Sequence, residues 1–307
     1  MSFICACMEG IGKNNLFLLA VLIVLFTACS SAGRSRFRAE NHIGFDTINV
    51  HERSHLEGDT SKPFCDIHVQ FVYPATASRA IMDSLQRFFV RQTFGDFYNA
   101  LAPALAADAY VENFIKNYNA DAVTYRETAK DIMELNTLIP GIDISDSEHE
   151  VKDTFYSYYE SLSDSIVYNQ YGLIAFQVKQ SNNKDGATSY NSYRNYVINL
   201  NNGNQVTESD IFNTGYDSAM QSLIINSLLD QNNVKTISEL EELGFFGIQE
   251  IIPNRNFLLN EKGIIYTYNK GEYSAYQLDA PQVFIPYSAI RSLLKENTVI
   301  YKLAGLQ

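Results

Sequence analysis

Ser192-Tyr193-Arg194-Asn195-Tyr196-Val197-Ile198-Asn199-Leu200, followed by Asn201-Asn202-Gly203-Asn204, is an aromatic and β-branched run that ends in a turn. Asn and Gly accept the positive φ that tight hairpins require, so the run reads as a strand about to double back. The same grammar occurs upstream. Thr154 to Leu162, Ser165 to Tyr168 and Leu173 to Lys179 are strand-like, and Asn182-Asn183-Lys184-Asp185-Gly186 supplies a second hairpin turn. An antiparallel meander is the expected result.

Toward the C-terminus, Asp210-Ile211-Phe212 leads into a helix at about Tyr216 to Asp230, with a second short helix at Ser238 to Leu243. Phe257 to Leu259, Ile264 to Tyr268 and Val283 to Ile285 read as closing strands, and Pro286-Tyr287-Ser288 caps a last helix, Ala289 to Lys295. Toward the N-terminus, Ile67 to Tyr73 alternates and ends at Pro74, as a first strand would. Ser78 to Phe94 carries Ile81, Leu85, Phe88 and Phe89 at helical spacing, with Ser78 as N-cap. A longer helical region spans about Pro103 to Leu135, with Tyr110, Phe114, Ile115 and Tyr118 along one face and a break expected near Asn119. The fold class is α+β: a mainly antiparallel sheet with helices packed on one face.

Ahead of this lies Leu16-Phe17-Leu18-Leu19-Ala20-Val21-Leu22-Ile23-Val24-Leu25-Phe26, then Thr27-Ala28-Cys29-Ser30-Ser31. An apolar core of about ten residues before small residues and a cysteine looks like a bacterial lipoprotein signal peptide, residues 1–28, with lipid expected on Cys29. Phe26 stands where Leu is usual. A permanent span would need about twenty apolar residues. Cys5, Cys7 and Glu9 are unusual in a leader, and a start at Met8 would leave a shorter one with Lys13. The mature protein is expected on a membrane of the bacterial cell envelope, facing the periplasm. Residues 29–62, polar and without periodicity, read as a flexible tether, and folded structure is expected from about Pro63.

The chain has a formal net charge of -12 and shows no basic stripe, which argues against a nucleic-acid partner. Without Cys5, Cys7 and Cys29, Cys65 stands alone, so no internal disulfide is expected; beside the alternating Ile67 to Val72 it reads as a buried strand thiol. There are 20 Tyr, 19 Phe and no Trp. Tyr190, Tyr193 and Tyr196, with Tyr156 and Tyr158, are the candidate ligand-binding rings, set against cross-strand packing as the plainer explanation.

Three stretches together resemble a known family. They are Tyr171-Gly172-Leu173-Ile174-Ala175-Phe176; Tyr196 to Leu200 with Gly203-Asn204-Gln205-Val206-Thr207 and Asp210-Ile211-Phe212; and Gly263-Ile264-Ile265-Tyr266-Thr267-Tyr268 with Val283-Phe284-Ile285-Pro286-Tyr287-Ser288-Ala289-Ile290. The chain is similar to envelope proteins that pair a DUF4163-type with a DUF3298-type module, as in RsiV-like anti-sigma factors. The resemblance implies a DUF4163-like module at 63–190 and a DUF3298-like module at 191–307. It departs at Asp185-Gly186-Ala187-Thr188, which lacks the family's histidine, and over Gly271 to Ala280. Some members bind lysozyme and others accompany polysaccharide deacetylase domains, so the resemblance implies a binding module for an envelope protein or a peptidoglycan-type glycan. An anti-sigma role does not carry over, because no transmembrane helix or sigma-binding region is read in the chain.

His51-Glu52-Arg53-Ser54-His55 matches the H-E-x-x-H zinc motif, which on a helix puts two imidazoles on one face with the glutamate as general base. Arg53 inside such a helix, a short upstream segment and Ser61 in the third-ligand place argue for a chance match in the tether. His42, His68 and His149 are scattered, with His68 expected as a strand residue. Asp143 and Asp146, and Glu239, Glu241 and Glu242, read as solvated faces. Neither catalytic nor metal-ligating residues are expected, and no cofactor. The reading is a non-enzymatic envelope lipoprotein, with a zinc metallopeptidase or cell-wall hydrolase as the alternative.

Overall fold

The computed structural model describes residues 41–138, 157–183, 190–275 and 278–306. The signal segment, Cys29, Asp143, Asp146, His149, Tyr156 and the turn at 185–188 lie outside these residues. Two sheets and two helical layers make up the fold, confirming the α+β reading. The first sheet holds six strands in sequence order: β1 (Gly44–His55), β2 (Phe64–Thr76), β3 (Tyr158–Gln170), β4 (Leu173–Asn183), β5 (Tyr190–Asn199) and the short β6 (Asn204–Gln205). All neighbours are antiparallel except β2 and β3, which run parallel. A parallel pair cannot be joined by a hairpin, so the chain between them crosses over through α1 (Arg79–Phe94) and α2 (Pro103–Leu138).

Those helices cover one face. Side chains alternate across a strand, so Ile67, Val69 and Phe71 of β2 and Ile174, Phe176 and Val178 of β4 point the same way and meet Leu85, Phe88, Phe89 and Val111. The rings of Phe89 and Phe176 stack 4.1 Å apart. The intervening residues Leu173 and Ala175, with Val197, face the opposite way into a second core. That core is closed by a three-stranded antiparallel sheet, β7 (Phe257–Leu259), β8 (Gly263–Thr267) and β9 (Gln282–Pro286), and by α4 (Asp217–Gln231). Between these elements lie α3 (Glu208–Ile211) and α5 (Ile237–Glu242), and the described chain ends with α6 (Tyr287–Ile290) and α7 (Val299–Leu303).

Tyr171 and Gly172, both at positive φ, form a two-residue link from β3 to β4. This is the backbone that a right-twisted hairpin favours. Asn41 pins it, accepting from the Gly172 amide at 2.7 Å and donating to the Leu173 carbonyl at 2.8 Å.

Several expectations are corrected. Residues 44–55, expected as tether, form β1 and pair with β2 along its length. β1 lies at the edge of the sheet, where polar and charged residues are ordinary, so it carries little apolar alternation. The helix from Pro103 runs through Asn119 without a break. The two strands expected between Thr154 and Tyr168 are one from Tyr158, and α7 was not anticipated. Ser78 does occupy the N-cap of α1, yet its carbonyl rather than its side chain receives the first helix amides. β4 and β5 pair from Leu173↔Asn199 to Asn182↔Tyr190, so the first sheet spans the junction expected between residues 190 and 191.

Candidate functional site

Tyr110, Asn113, Phe114, Asn117 and Tyr118 recur on α2 at the spacing of one helix face. Tyr158 and Glu160 are two apart on β3 and therefore share a face of that strand. Where the two meet, these seven side chains line a cleft of about 200 Å³. Helical and strand periodicity thus converge on one small pocket of aromatic walls, two carboxamides and one carboxylate.

Glu160 organises its floor. The Tyr110 hydroxyl donates to Glu160 Oε1, and Gln180 Nε2 donates to the same oxygen at 3.2 Å. Gln180 Oε1 in turn accepts from Arg194 at 2.9 Å, and the other end of that guanidinium reaches the Thr93 carbonyl at 3.4 Å. Burial, followed by the nearby Glu160 carboxylate, pushes the Tyr110 phenol well above its ordinary pKa, so it remains a protonated donor. At the other end, Tyr158 Oη donates to Asp121 Oδ2 at 2.7 Å, and its ring meets Tyr118 edge to face at 5.0 Å. A network in which each member fixes the next holds the cleft in one geometry.

Of the rings singled out in the sequence, Tyr158 is in this cleft; Tyr190, Tyr193 and Tyr196 are not brought together. Strand alternation puts Tyr190 and Tyr196 on the helix-covered side of β5 and Tyr193 on the other. Tyr196 packs against Phe88 and Phe176 at centroid distances of 6.4 and 5.3 Å, whereas Tyr190 is exposed. Their proposed common surface is therefore corrected by geometry. Cys65 is fully buried in β2, as expected.

The H-E-x-x-H stretch is strand, not helix. In an extended chain His51 and His55 share a face but stand about 13 Å apart along it, too far to share an ion. Glu52 faces the other way, and His55 Nδ1 instead contacts the Lys62 carbonyl at 2.9 Å. The peptidase reading fails on that spacing. Glu239 closes a capping box at the start of α5, accepting from the Thr236 amide, and Glu241 and Glu242 are exposed.

Comparison with known proteins gives a family match in the C-terminal part and structural matches over most of the chain. A family model described as "Protein of unknown function (DUF3298)" matches residues 209–288. These residues form a DUF3298 domain. The crystal structure of a DUF3298 family member from Bacteroides fragilis NCTC 9343 aligns over 86% of this chain and 98% of its own, with 27% identity and a TM-score of 0.75. A DUF3298 family protein from Pseudomonas aeruginosa PAO1 aligns over 83% and 96%, with 12% identity and a TM-score of 0.53, a likeness of fold. No curated protein matches the chain.

The DUF3298 domain runs from α3 through α4, α5 and the second sheet to Tyr287 and Ser288 of α6. At its entrance is Glu208, which sequence reasoning passed over because its neighbours are ordinary helix-start residues. Its buried carboxylate accepts from Tyr216 Oη at 2.8 Å and from the Arg255 amide at 3.0 Å. Glu261 of this domain, with Tyr171, Gly172, Asn201, Val299, Lys302 and Leu303 from outside it, lines a wider groove of about 530 Å³. The cleft at Glu160 was likewise missed. Its α2 face is legible in the sequence, but nothing local announces that Glu160, 42 residues after Tyr118, completes it.

Proposed function

We propose that the protein is a non-enzymatic module of the bacterial cell envelope, held on a membrane through lipid on Cys29, that binds a glycan of the cell-wall environment. The observation that carries this reading is the Tyr110–Glu160 cleft. Aromatic faces stack on the apolar face of a sugar ring, while carboxamides and a carboxylate satisfy its hydroxyls. Pockets for drug-sized ligands usually exceed about 300 Å³. At about 200 Å³ the cleft suits a single monosaccharide unit of a longer chain. The family resemblance agrees with an extracytoplasmic binding role.

Titration of the detergent-solubilised full chain with soluble peptidoglycan fragments and with N-acetylglucosamine oligomers, followed by tyrosine fluorescence, tests this. Saturable binding is expected, at least about tenfold weaker in Asn117→Ala and in Glu160→Gln while thermal unfolding stays cooperative. Binding that is absent, or unaffected by both substitutions, removes the cleft as a glycan site.

A second reading, a protein ligand, has its own observation. Phe97, between α1 and α2, is 87% exposed, and Leu105, in the first turn of α2, is 59% exposed. Exposed large apolar side chains in one place mark interaction surfaces. Crosslinking in intact envelopes followed by mass spectrometry would yield one reproducible partner under this reading, lost in Phe97→Ser.

A further inference from the structure

On the face of the first sheet opposite the helices, β1 and β2 bring together three donors that lie 15 and 2 residues apart in the chain. Register places His51 directly across from His68, and Arg53 directly across from Asp66. The two imidazole rings are stacked at 3.7 Å with an 18° interplanar angle. His51 Nε2 lies 3.2 Å and His68 Nε2 3.1 Å from the same carboxylate oxygen, Asp66 Oδ1. One ligand atom from each residue falls within 4.8 Å of the other two.

We propose that His51, Asp66 and His68 form a binding site for a divalent ion of the zinc class. Metal bonds to imidazole nitrogen and carboxylate oxygen are about 2.0–2.2 Å long, so adjacent ligands around such an ion stand about 3 to 3.5 Å apart. The two nitrogen–oxygen separations are already those of a coordination edge. Two imidazoles and one carboxylate are the donor set that zinc and its neighbours take.

The surroundings hold the set in place and leave it open. Asp66 is only 4% exposed, whereas the side chains of His51 and His68 are 54% and 57% exposed, so the carboxylate forms the floor and solvent has access from above. Asp66 Oδ2 accepts from Arg53 Nε at 2.7 Å and from its terminal nitrogen, while the guanidinium lies 4.6 Å over the Phe64 ring. Arg53 thus orients the carboxylate through the oxygen that does not face the imidazoles, the role that outer partners play at metal sites. All the donors sit on two paired strands, a more rigid support than a loop. The formal charge of -12 favours accumulation of cations near the protein.

This site is not the H-E-x-x-H motif. It uses the first histidine of that motif, replaces the second with a partner from the neighbouring strand, and needs no Glu52. It also differs from the glycan cleft, which lies between α2 and the other face of the sheet.

Isothermal titration of the chelator-treated, detergent-solubilised full chain with Zn²⁺, and visible absorption after Co²⁺ addition, test the proposal. One Zn²⁺ per chain with a dissociation constant in the micromolar range or below is expected, together with a cobalt ligand-field spectrum. His51→Gln and His68→Gln, both at half-exposed positions, should each weaken binding at least tenfold with unchanged circular dichroism. His42→Gln should bind as the parent does. Absence of saturable Zn²⁺ binding, or binding retained in the His51→Gln, His68→Gln double variant, overturns the site.

Discussion

Asn195 of β5 donates from Nδ2 to the Thr267 hydroxyl of β8 at 2.8 Å, a fully buried bond that ties the first sheet to the second. Its Oδ1 accepts from Gln177 Nε2 at 2.9 Å, its backbone amide donates to Asn256 Oδ1 at 2.8 Å, and Asn256 Nδ2 returns a bond to the Tyr193 carbonyl at 3.0 Å. Beside the apolar contact that Leu173, Ala175 and Val197 make with the second sheet, a line of carboxamides therefore bonds β5 to β8 and to Asn256, so the relative position of the two sheets depends on hydrogen-bond geometry as well as on packing.

Asn195→Ala should consequently cost about 1–3 kcal/mol, because it strands the Thr267 hydroxyl and disturbs Asn256 in a buried place. Urea unfolding followed by circular dichroism measures it. A loss below about 0.5 kcal/mol would mean that the carboxamide line does not hold the sheets together.

Phe176 is fully buried, stacked on Phe89 and in contact with Phe88 and Tyr196. Phe176→Ala removes a ring from the centre of the first core and should destabilise by about 3–5 kcal/mol, whereas Phe97→Ala, at an 87% exposed site, should stay within about 0.5 kcal/mol. Comparison of the two denaturation midpoints checks the contrast.

Asp164 is buried on β3 just beyond the last β2–β3 pair, and its Oδ1 takes the Val72 amide at 2.6 Å while Oδ2 meets no donor among the described residues. Burial pushes its carboxyl up to about 8 despite that amide. The unfolded chain titrates near about 3.9, so the folded state binds the extra proton between these values. Its contribution to stability is complete below about pH 4 and is lost as pH rises through about 8, with a slope near 1.4 kcal/mol per pH unit. In Asp164→Asn this part of the slope should vanish. Unfolding free energies at pH 5, 6.5 and 8 decide, and identical pH profiles for parent and variant would refute the assignment.

Burial pushes the Cys65 thiol up to about 11, and its side chain is inaccessible in β2. In the folded protein at pH 8, iodoacetamide should leave Cys65 unmodified for hours, with stoichiometric alkylation only in denaturant. Peptide mass spectrometry reads the modification, and rapid labelling without denaturant would show β2 opening locally.

The sequence by itself determined those features that repeat at a fixed local period. The hairpin chemistry at 201–204, the apolar faces of α1 and α2, and the burial of Cys65 beside an alternating run were all legible, because propensity and periodicity act over a few neighbouring residues. The fold class followed from their order. Tertiary structure decided what those periods meet. β1 escaped notice because an edge strand with one open face can be as polar as a tether, and only its pairing with β2 makes it a strand. The H-E-x-x-H match acquired another meaning for the same reason: extended backbone carries His55 away from His51, while register brings up His68 and Asp66. Likewise Glu160 reaches the tyrosines of α2 only through the parallel crossover from β2 to β3. Cross-strand register and crossover packing join residues tens of positions apart, and no local pattern encodes which distant side chain will stand opposite.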